Sequence, residues 1–342
     1  MSAEVNPEVS AEVSRVLVTG GSGYLGTHLV AALLRAGRPV RATVRSAARE
    51  AGLRAAVRRG GADDGALEVV AADLTADDGW RAAAAGCAEV HHVASPIPVV
   101  QPDDPDDLIV PARDGVLRAL RAAREAGARR VVLTSSFAAV GYTPKPVAEF
   151  TEDDWTDPDT PGLAPYPRSK TLAERAAWEW LAREGGIELV VVNPTFILGP
   201  TLTTELRSST YLVKMMLEGS MSVAPRQRFG VVDVRDVADL HLRAMAEPKA
   251  AGRRFLAVGA GPTLGFLQVA DVLRRRMGPL GARVPTREAA GAEPPRPVIR
   301  NDRAREELGW RPRDVETTIV QTAESLRDLG MLEDRRGGQR RT

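Results

Sequence analysis

The feature that most constrains this chain is a glycine-rich loop between a short apolar run and a helical pattern. Residues 15–19 (RVLVT) run directly into GGSGYLG, which fits the pattern T-G-x-x-G-x-x-G. In such a loop Gly20 allows a tight turn, Gly23 lets the backbone approach a pyrophosphate, and Gly26 lets the helix pack closely on the strand. Backbone N–H groups at the start of the following helix then face the phosphates. The sequence therefore predicts a dinucleotide-binding loop rather than a glycine-rich turn without a ligand.

Short β-branched runs alternate with longer Ala- and Arg-rich segments through the first half of the chain. This alternation predicts strands at residues 15–20, 39–44, 67–73, 89–94, 130–136 and 187–195, and helices at 24–36, 75–85, 108–126 and 167–183. Near-continuous apolar strands joined by helices are typical of a parallel sheet that is covered on both faces. The predicted fold class is therefore α/β, a doubly wound parallel sheet of the Rossmann type, with ligands beyond the carboxyl ends of its strands.

The pattern changes after Pro200, where Pro- and Gly-rich loops separate the remaining helices. We expect a dinucleotide-binding domain at residues 15–200, to which part of 228–262 returns. A smaller C-terminal substrate lobe is expected at 201–330. Disordered tails are expected at 1–14 and 331–342.

Composition excludes several classes of protein. The 342 residues include 46 Lys and Arg against 45 Asp and Glu, so the net charge of +1 gives no whole-chain case for binding nucleic acid or an anionic membrane. The single cysteine, Cys87, excludes an internal disulfide and a cysteine-based zinc site. No apolar run reaches the ~20 residues of a membrane span. The N-terminus lacks the basic start and apolar centre of a secretory signal. We expect a cytoplasmic protein without a metal, as a monomer or homodimer.

The end of the second predicted strand indicates which dinucleotide binds. NAD enzymes place an acid about 20 residues beyond the loop, whereas NADP enzymes place an arginine nearby. This chain has Arg45 there and Arg49 one helical turn later, with no acid at the strand end. A guanidinium binds a phosphate in a forked geometry, which favours NADPH or NADP over NADH. At the end of the third strand, Asp73 either accepts a hydrogen bond from the adenine amine or caps a helix.

Tyr166 and Lys170 are four residues apart in YPRSK, although the chain has only four tyrosines. On a helix this spacing places both side chains on one face. An ammonium beside a phenol should lower the phenol's pKa from ~10, which makes a general acid able to protonate a carbonyl oxygen. The alternative is an exposed helix pair without a role. Because Pro167 disfavours the α region for Tyr166, the helix is expected to begin at Pro167.

Two serines, Ser135 and Ser136, end the fifth predicted strand at the carboxyl edge of the sheet. A hydroxyl there can donate to a developing oxyanion, and the alternative role is a strand-terminal cap. The order of glycine loop, strand-end serine and Tyr/Lys pair on one doubly wound sheet favours the catalytic interpretation.

At this point the chain resembles the extended short-chain dehydrogenases/reductases, and within them the dihydroflavonol 4-reductase-like group of ketone and aldehyde reductases. The resemblance extends from Val18 to Arg313. It rests on the segments VTGGSGYLG, VRATVR, AADL, HHVASP, LTSSFAAV, FTEDDWTD, YPRSKTLAERAAW, VVNPTFILGP, VVDVRDVADLHLRAM and EELGWRPR.

The resemblance implies that Ser136 is the catalytic serine, Tyr166 the acid, and Lys170 the residue that holds the nicotinamide ribose and tunes Tyr166. It also implies that Arg45 binds the 2′-phosphate. With the loop and strand-end arguments, the predicted cofactor site consists of Gly20, Ser22, Gly23, Tyr24, Leu25, Gly26, Arg45, Arg49, Asp73, Leu74, Val93, Ala94, Ser95, Tyr166, Lys170, Pro194, Thr195 and Ile197. The predicted substrate pocket includes Pro96, Phe137, Tyr142 and Ser208.

Two departures from the group stand out. Many relatives carry Asn in a P-x-x-N-G run on the fourth helix, where it supports a proton relay, whereas this chain has Asp114. The segment after Arg287, which helps wall the substrate pocket in relatives, looks shorter here.

The first functional hypothesis is an NADP-dependent alcohol dehydrogenase or carbonyl reductase acting on CH–OH donors, with a small-molecule carbonyl substrate. The alternatives are a nucleotide-sugar epimerase or dehydratase and a non-catalytic NADP sensor. Arg45 argues against the former, and retention of Ser136, Tyr166 and Lys170 argues against the latter.

Overall fold

The computed structural model describes residues 14–96, 102–206 and 209–332. Its strands, in chain order, are β1 (Arg15–Thr19), β2 (Val40–Val44), β3 (Leu67–Ala71), β4 (Cys87–His92), β5 (Arg130–Thr134), β6 (Glu149–Phe150), β7 (Glu188–Pro194), β8 (Phe196–Leu198), β9 (Arg228–Phe229), β10 (Val231–Asp233), β11 (Arg254–Ala257), β12 (Leu264–Gly265) and β13 (Val298–Ile299). Its α-helices are α1 (Tyr24–Arg35), α2 (Glu50–Arg59), α3 (Trp80–Ala84), α4 (Asp106–Glu125), α5 (Pro165–Glu184), α6 (Ser209–Glu218), α7 (Val234–Ala246), α8 (Phe266–Arg276), α9 (Asp302–Glu307) and α10 (Val315–Asp328).

Seven strands form the central sheet, in the order β11-β7-β5-β4-β1-β2-β3. Every neighbouring pair in it is parallel. The chain runs outward from β1 to β3 and then returns to β4 on the other side of β1. This reversal leaves a crevice beyond the carboxyl ends of β1 and β4, where doubly wound sheets bind ligands. The predicted fold class is confirmed.

Helices cover both faces of the sheet because alternate strand residues point to opposite sides. One face packs α1, α2 and α7 against side chains such as Val16 and Val18. The other face packs α3, α4 and α5 against side chains such as Leu17 and Leu133. A third apolar cluster is formed mainly by α6, α8 and α10.

Several element boundaries differ from the sequence expectation. Helix α2 was not predicted, because its apolar stripe consists only of Leu53, Ala56 and Val57. Helix α3 occupies Trp80–Ala84 rather than 75–85, since Gly79 adopts a φ of 85° immediately before it. The expectation that α5 begins at Pro167 is wrong, because α5 begins at Pro165. Prolines are tolerated there because the first helical N–H groups have no intrahelical partner.

Most of the two predicted tails (residues 1–14 and 331–342) lies outside the described residues. Within the described part of the chain, no helix combines the length and apolar character that crossing a membrane requires.

Candidate active site

The glycine loop connects β1 to α1 in the geometry that a bound diphosphate needs. Gly20 has a φ of 67°, in the left-handed region, and a Cβ on it would lie 2.8 Å from Cα of Ala94. A Cβ on Gly26 would meet the carbonyl oxygen of Gly20 at 2.3 Å, so only glycine allows the helix to approach this closely. Gly23 is exposed at the top of the loop, next to the partly exposed Ser22. The loop therefore fits a dinucleotide, with its backbone open to the phosphates at the start of α1.

Two other predicted loop residues point away from the crevice. The side chain of Leu25 is buried in the core beneath α1. The Tyr24 hydroxyl donates a hydrogen bond to the carbonyl oxygen of Gly199, at 2.7 Å. Only their backbone atoms are thus placed to contact a phosphate.

Thr19, at the end of β1, holds the end of β4 against the loop. Its hydroxyl oxygen accepts hydrogen bonds from the backbone N–H groups of Val93 and Ala94, both at 3.1 Å. The hydroxyl also lies 2.9 Å from Nδ1 of His92. This arrangement brings the predicted residues Val93, Ala94 and Ser95 next to the glycine loop.

The exposed end of the crevice, at the ends of β2 and β3, carries Arg45, Arg49 and Asp73. The Arg45 side chain is 67% exposed and lies 3.7 Å from the carboxylate of Asp73. The Arg49 guanidinium pairs with Glu205. These groups occupy the region expected to bind the adenosine half of the dinucleotide.

Asp73 accepts hydrogen bonds from the N–H and the hydroxyl of Thr75, at 2.8 and 2.7 Å. These bonds are the main reason that the pKa of the Asp73 carboxyl is lowered. Local capping therefore engages one carboxylate oxygen, and the other faces Arg45, so both predicted roles stay open. The next residue, Leu74, packs against Gly115 of α4.

The buried end of the crevice lies where β5 meets α5, and it contains Ser135, Ser136, Tyr166, Lys170 and Glu174. The two serines separate at the strand end. Ser136 caps a short 3-10 turn, because its hydroxyl accepts a hydrogen bond from the N–H of Ala138 at 3.1 Å, and it lies close enough to the phenol of Tyr166 to lower the pKa of that group. Ser135 turns the other way and donates to Glu174 at 2.5 Å. The geometry thus brings Ser136, not Ser135, to Tyr166.

The predicted depression of the Tyr166 pKa is wrong for this structure. Burial raises the pKa of the Tyr166 phenol, the hydrogen bond with Ser136 lowers it by less, and Tyr142 raises it. The charge of Lys170 is not among the causes of this shift, so the effect that the four-residue spacing suggested is not seen. The phenol is therefore protonated at neutral pH.

Lys170 is 7% exposed. Burial lowers the pKa of its ammonium to about 8, and the charge of Glu174 raises it part of the way back. The side chain lines a cavity of about 10 Å³ together with Ser95, Ser135, Glu174, Ala112 and Val116. Such a cavity has room for roughly one water molecule.

Asp114, which replaces the relay asparagine of the group, pairs with the neighbouring Arg113 at 2.7 Å. It is not among the residues that line the cavity beside Lys170. Helix α4 faces that cavity with apolar side chains instead. In this structure the Asp114 carboxylate is thus engaged by Arg113 and not by Lys170.

Sequence reasoning missed a buried polar network behind the two serines. Glu174 is 1% exposed and pairs with Arg254 of β11 at 2.6 Å. Asn193, at the end of β7, donates to Glu174 at 2.7 Å and to the carbonyl oxygen of Ser136 at 3.2 Å. Two signals could have found these residues. Glu174 continues the four-residue spacing of Tyr166 and Lys170, and Asn193 is a polar residue in the apolar run LVVVNP.

The end of β7 and the residues after it are anchored to the neighbouring part of the fold. Pro194 is buried, and Thr195 bonds the carbonyl oxygen of Ala257 through both its N–H and its hydroxyl, at 3.0 and 3.1 Å. Ile197 is partly buried against the sheet core. These contacts hold the loop at the crevice, where the predicted nicotinamide contacts would lie.

Three of the predicted substrate-pocket residues can be placed. Pro96 follows β4 and is partly buried. Phe137 follows Ser136 and packs edge-to-face against Phe150, with 5.5 Å between ring centroids. Tyr142 is 50% exposed, lies 6.3 Å from the Phe137 ring and acts electrostatically on Tyr166. Ser208 lies outside the described residues.

Together, the parallel sheet, the glycine loop and the Ser/Tyr/Lys group define a dinucleotide-binding α/β protein. The model of the NAD dependent epimerase/dehydratase family matches residues 16–259. The chain is 33% identical to cinnamoyl-CoA reductase CAD2 of Medicago truncatula, over 92% of this chain and 95% of that protein. It is 34% identical to dihydroflavonol 4-reductase of Zea mays, over 71% of this chain and 70% of that protein.

Among solved structures, yeast methylglyoxal/isovaleraldehyde reductase Gre2 in complex with NADPH superposes with a TM-score of 0.78 at 27% identity, covering 93% of this chain and all of that one. This chain therefore belongs to the NAD dependent epimerase/dehydratase family, the extended short-chain dehydrogenases/reductases, as its motifs indicated.

Proposed function

We propose that this protein reduces a ketone or aldehyde carbonyl to an alcohol, with NADPH as the hydride donor and Tyr166 as the proton donor. At a coarser level, it is an NAD(P)-dependent reductase of the extended short-chain dehydrogenase/reductase family. The observation that supports the finer proposal is that the Ser136 hydroxyl lies close enough to the Tyr166 phenol to lower its pKa, at the buried end of the crevice and on the same sheet edge as the glycine loop.

The cofactor is NADP(H). The Gre2 reductase, which superposes on nearly the whole chain, is an NADPH complex. The exposed end of the crevice agrees with this choice, because Arg45 follows β2 where an NAD enzyme would carry an acid. Arg49 adds a second positive charge nearby.

The chain's own residues can supply the proton that the reduction needs. When bound, NADPH supplies a hydride to the carbonyl carbon. The Tyr166 phenol, protonated at neutral pH, donates its proton to the carbonyl oxygen as negative charge develops there. Ser136 orients the phenol and presents a hydroxyl to the same oxygen. The positive charge of Lys170 stabilises the phenolate that remains after the transfer.

The surroundings of Tyr166 support a modestly sized, partly hydrophobic substrate. Phe137 and Tyr142 provide aromatic surface beside the phenol. The named relatives include reductases of a thioester and of a dihydroflavonol, so those two compound classes belong in the first substrate panel beside simple ketones and aldehydes.

The test is NADPH consumption, followed by absorbance, with this panel. We expect turnover with at least one carbonyl compound, and a loss of about 10³-fold in kcat for Tyr166→Phe, within the range for removal of a general acid. Cofactor fluorescence should show that Tyr166→Phe still binds NADPH. The control is Tyr211→Phe, which alters an exposed tyrosine of α6 and should stay within about twofold of the parent. A Tyr166→Phe variant as active as its parent would refute the mechanism.

A further inference from the structure

We propose that Glu174 is a positioning residue that keeps Lys170 in its charged form at the buried end of the crevice. The inference rests on the proposed function and deepens it by identifying the group on which the lysine depends. Tyr166, Lys170 and Glu174 follow one another at four-residue steps on α5, so they share one helix face. Lys170 and Glu174 line the same small cavity.

The environment of Lys170 makes a counter-ion necessary. An ammonium taken out of water is costly unless an opposite charge compensates for it. Among the described residues that line the cavity, Glu174 provides the only carboxylate. Helix α4 contributes Ala112 and Val116 there, since Asp114 pairs with Arg113 instead.

The other titratable groups around Lys170 do not compensate its charge. His92 of β4 is neutral, because burial and then the charge of Lys170 lower its pKa to about 3. Tyr166 is protonated at neutral pH, because burial raises its pKa. Arg254 of β11 faces the far side of Glu174 and is itself a cation. Among these groups, Glu174 is therefore the one whose negative charge acts on Lys170, across the shared cavity and not in a direct ion pair.

The Glu174 carboxylate accepts hydrogen bonds from three neighbouring side chains. Arg254 donates to Oε1 at 2.6 Å, and Asn193 and Ser135 donate to Oε2 at 2.7 and 2.5 Å. The hydrogen bond from Arg254 is charge-assisted, because its donor is a cation and the carboxylate is the matching acceptor. The strand end that carries the serines is thereby tied to the same carboxylate that compensates Lys170.

Catalysis should therefore depend on Glu174, although this residue does not touch the reacting atoms. Burial has already lowered the pKa of Lys170 to about 8. Without the charge of Glu174, the ammonium should lose its proton near neutral pH. The phenolate of Tyr166 would then lack its stabilising cation.

The experiment compares Glu174→Gln with the parent by NMR of protein labelled at the lysine ε-carbon. The chain has four lysines, so Lys170 can be assigned from the signal that disappears in Lys170→Arg. We expect the titration midpoint of Lys170 to fall by about one pH unit, at the low end of the effect of a nearby charge because Arg254 partly compensates Glu174. Glu174→Asp, which keeps the charge, should restore most of the midpoint.

A second readout follows the reaction. The alkaline limb of the kcat profile should move to lower pH by a similar amount, whereas KM for the carbonyl compound should change little. The matched control is Glu179→Gln, which removes an exposed carboxylate from the same helix and should change neither readout.

An unchanged Lys170 midpoint in folded Glu174→Gln would overturn the inference. If Glu174→Gln does not fold, the titration of Lys170 in the parent protein tests the inference. A Lys170 midpoint below pH 7 in the parent would mean that Glu174 does not keep the lysine charged. The NMR titration needs no substrate. A failure to consume NADPH would thus refute the proposed function and leave the result for Glu174 standing.

Discussion

The charged side chains at the two ends of the crevice differ in how deeply they are buried and in how firmly they are held by partners. At the buried end, Lys170 and Glu174 are 7% and 1% exposed, and the Glu174 carboxylate accepts three hydrogen bonds from fixed neighbours. At the exposed end, the Arg45 side chain is 67% exposed and only loosely paired with Asp73. A buried ionic group must be oriented before the ligand arrives, because leaving it unpaired is costly. An exposed arginine stays hydrated in the free protein, and it forms strong charge-assisted hydrogen bonds only when a phosphate binds.

This difference separates the chemistry from the choice of cofactor. At the buried end, packing in the fold fixes the positions of the proposed proton-transfer groups Ser136, Tyr166 and Lys170. The exposed end discriminates between dinucleotides by charges that contribute little to folding. Substitutions at the two ends should therefore affect different properties.

The largest effect is expected for Arg254→Met at the buried end. This change leaves Glu174 as a buried carboxylate without its cation, and should lower the free energy of unfolding by about 4 kcal/mol, as for other broken buried pairs. Urea unfolding measures it. Arg45→Met, the matched change at the exposed end, should cost no more than about 0.5 kcal/mol. Equal losses for the two variants would contradict the comparison.

Lowering the pH should also reduce the free energy of unfolding, because buried histidines are neutral in the folded protein. Burial is the main cause that lowers the pKa of both His92 and His241 to about 3. Below pH 6.5 the unfolded chain binds protons at these histidines and the folded chain does not, so stability falls as the pH falls from 6.5 toward 3. Between pH 7 and pH 5 we expect a loss of about 2 kcal/mol for each histidine.

The measurement is the free energy of unfolding in urea at the two pH values. A range that ends at pH 5 stays above the titration of ordinary carboxylates. In His241→Gln the loss between pH 7 and pH 5 should be smaller by the contribution of one histidine. A stability that is flat over this range would show that these imidazoles are not held neutral by burial.

The smallest of the three predicted effects is the loss of cofactor affinity at Arg45. Arg45→Met removes a charge-assisted contact to the 2′-phosphate, and should weaken NADPH binding about tenfold, or ~1.4 kcal/mol. NADH, which lacks that phosphate, should bind the variant and the parent alike. Fluorescence titration with both dinucleotides measures the ratio. Equal weakening for NADPH and NADH would remove Arg45 from the recognition of the phosphate.

Salt provides the control for this last prediction. Raising the ionic strength screens exposed charges far more than buried ones. The affinity for NADPH should therefore fall with added salt in the parent and fall less steeply in Arg45→Met.

Local patterns were sufficient for much of the fold and for the candidate site. The apolar runs predicted six strands of the central sheet near their observed positions, because a strand buried on both faces is almost continuously apolar. The glycine loop and the pair Tyr166 and Lys170 were visible because their residues are close in sequence. The choice of Ser136 over Ser135 came from the family resemblance and stays a prediction; in the structure Ser136 lies near Tyr166, whereas Ser135 bonds Glu174.

What could not be predicted depends on contacts between distant segments. Arg254 reaches Glu174 across 80 residues of sequence, through a strand of only four residues. The pKa of Tyr166 was predicted in the wrong direction because helix spacing reports which groups are neighbours but not how deeply a phenol is buried. Burial results from the assembled sheet and helices together.

The position of β11 has a consequence for how the molecule is made. This strand forms one edge of the sheet and carries Arg254, yet it follows β8, α6 and α7 along the chain. During synthesis the ribosome releases β7 and Glu174 well before the strand that covers them. Until residues 254–257 emerge, the nascent polypeptide exposes an unpaired strand edge beside an acid without its cation, which is a state open to aggregation and to chaperone binding.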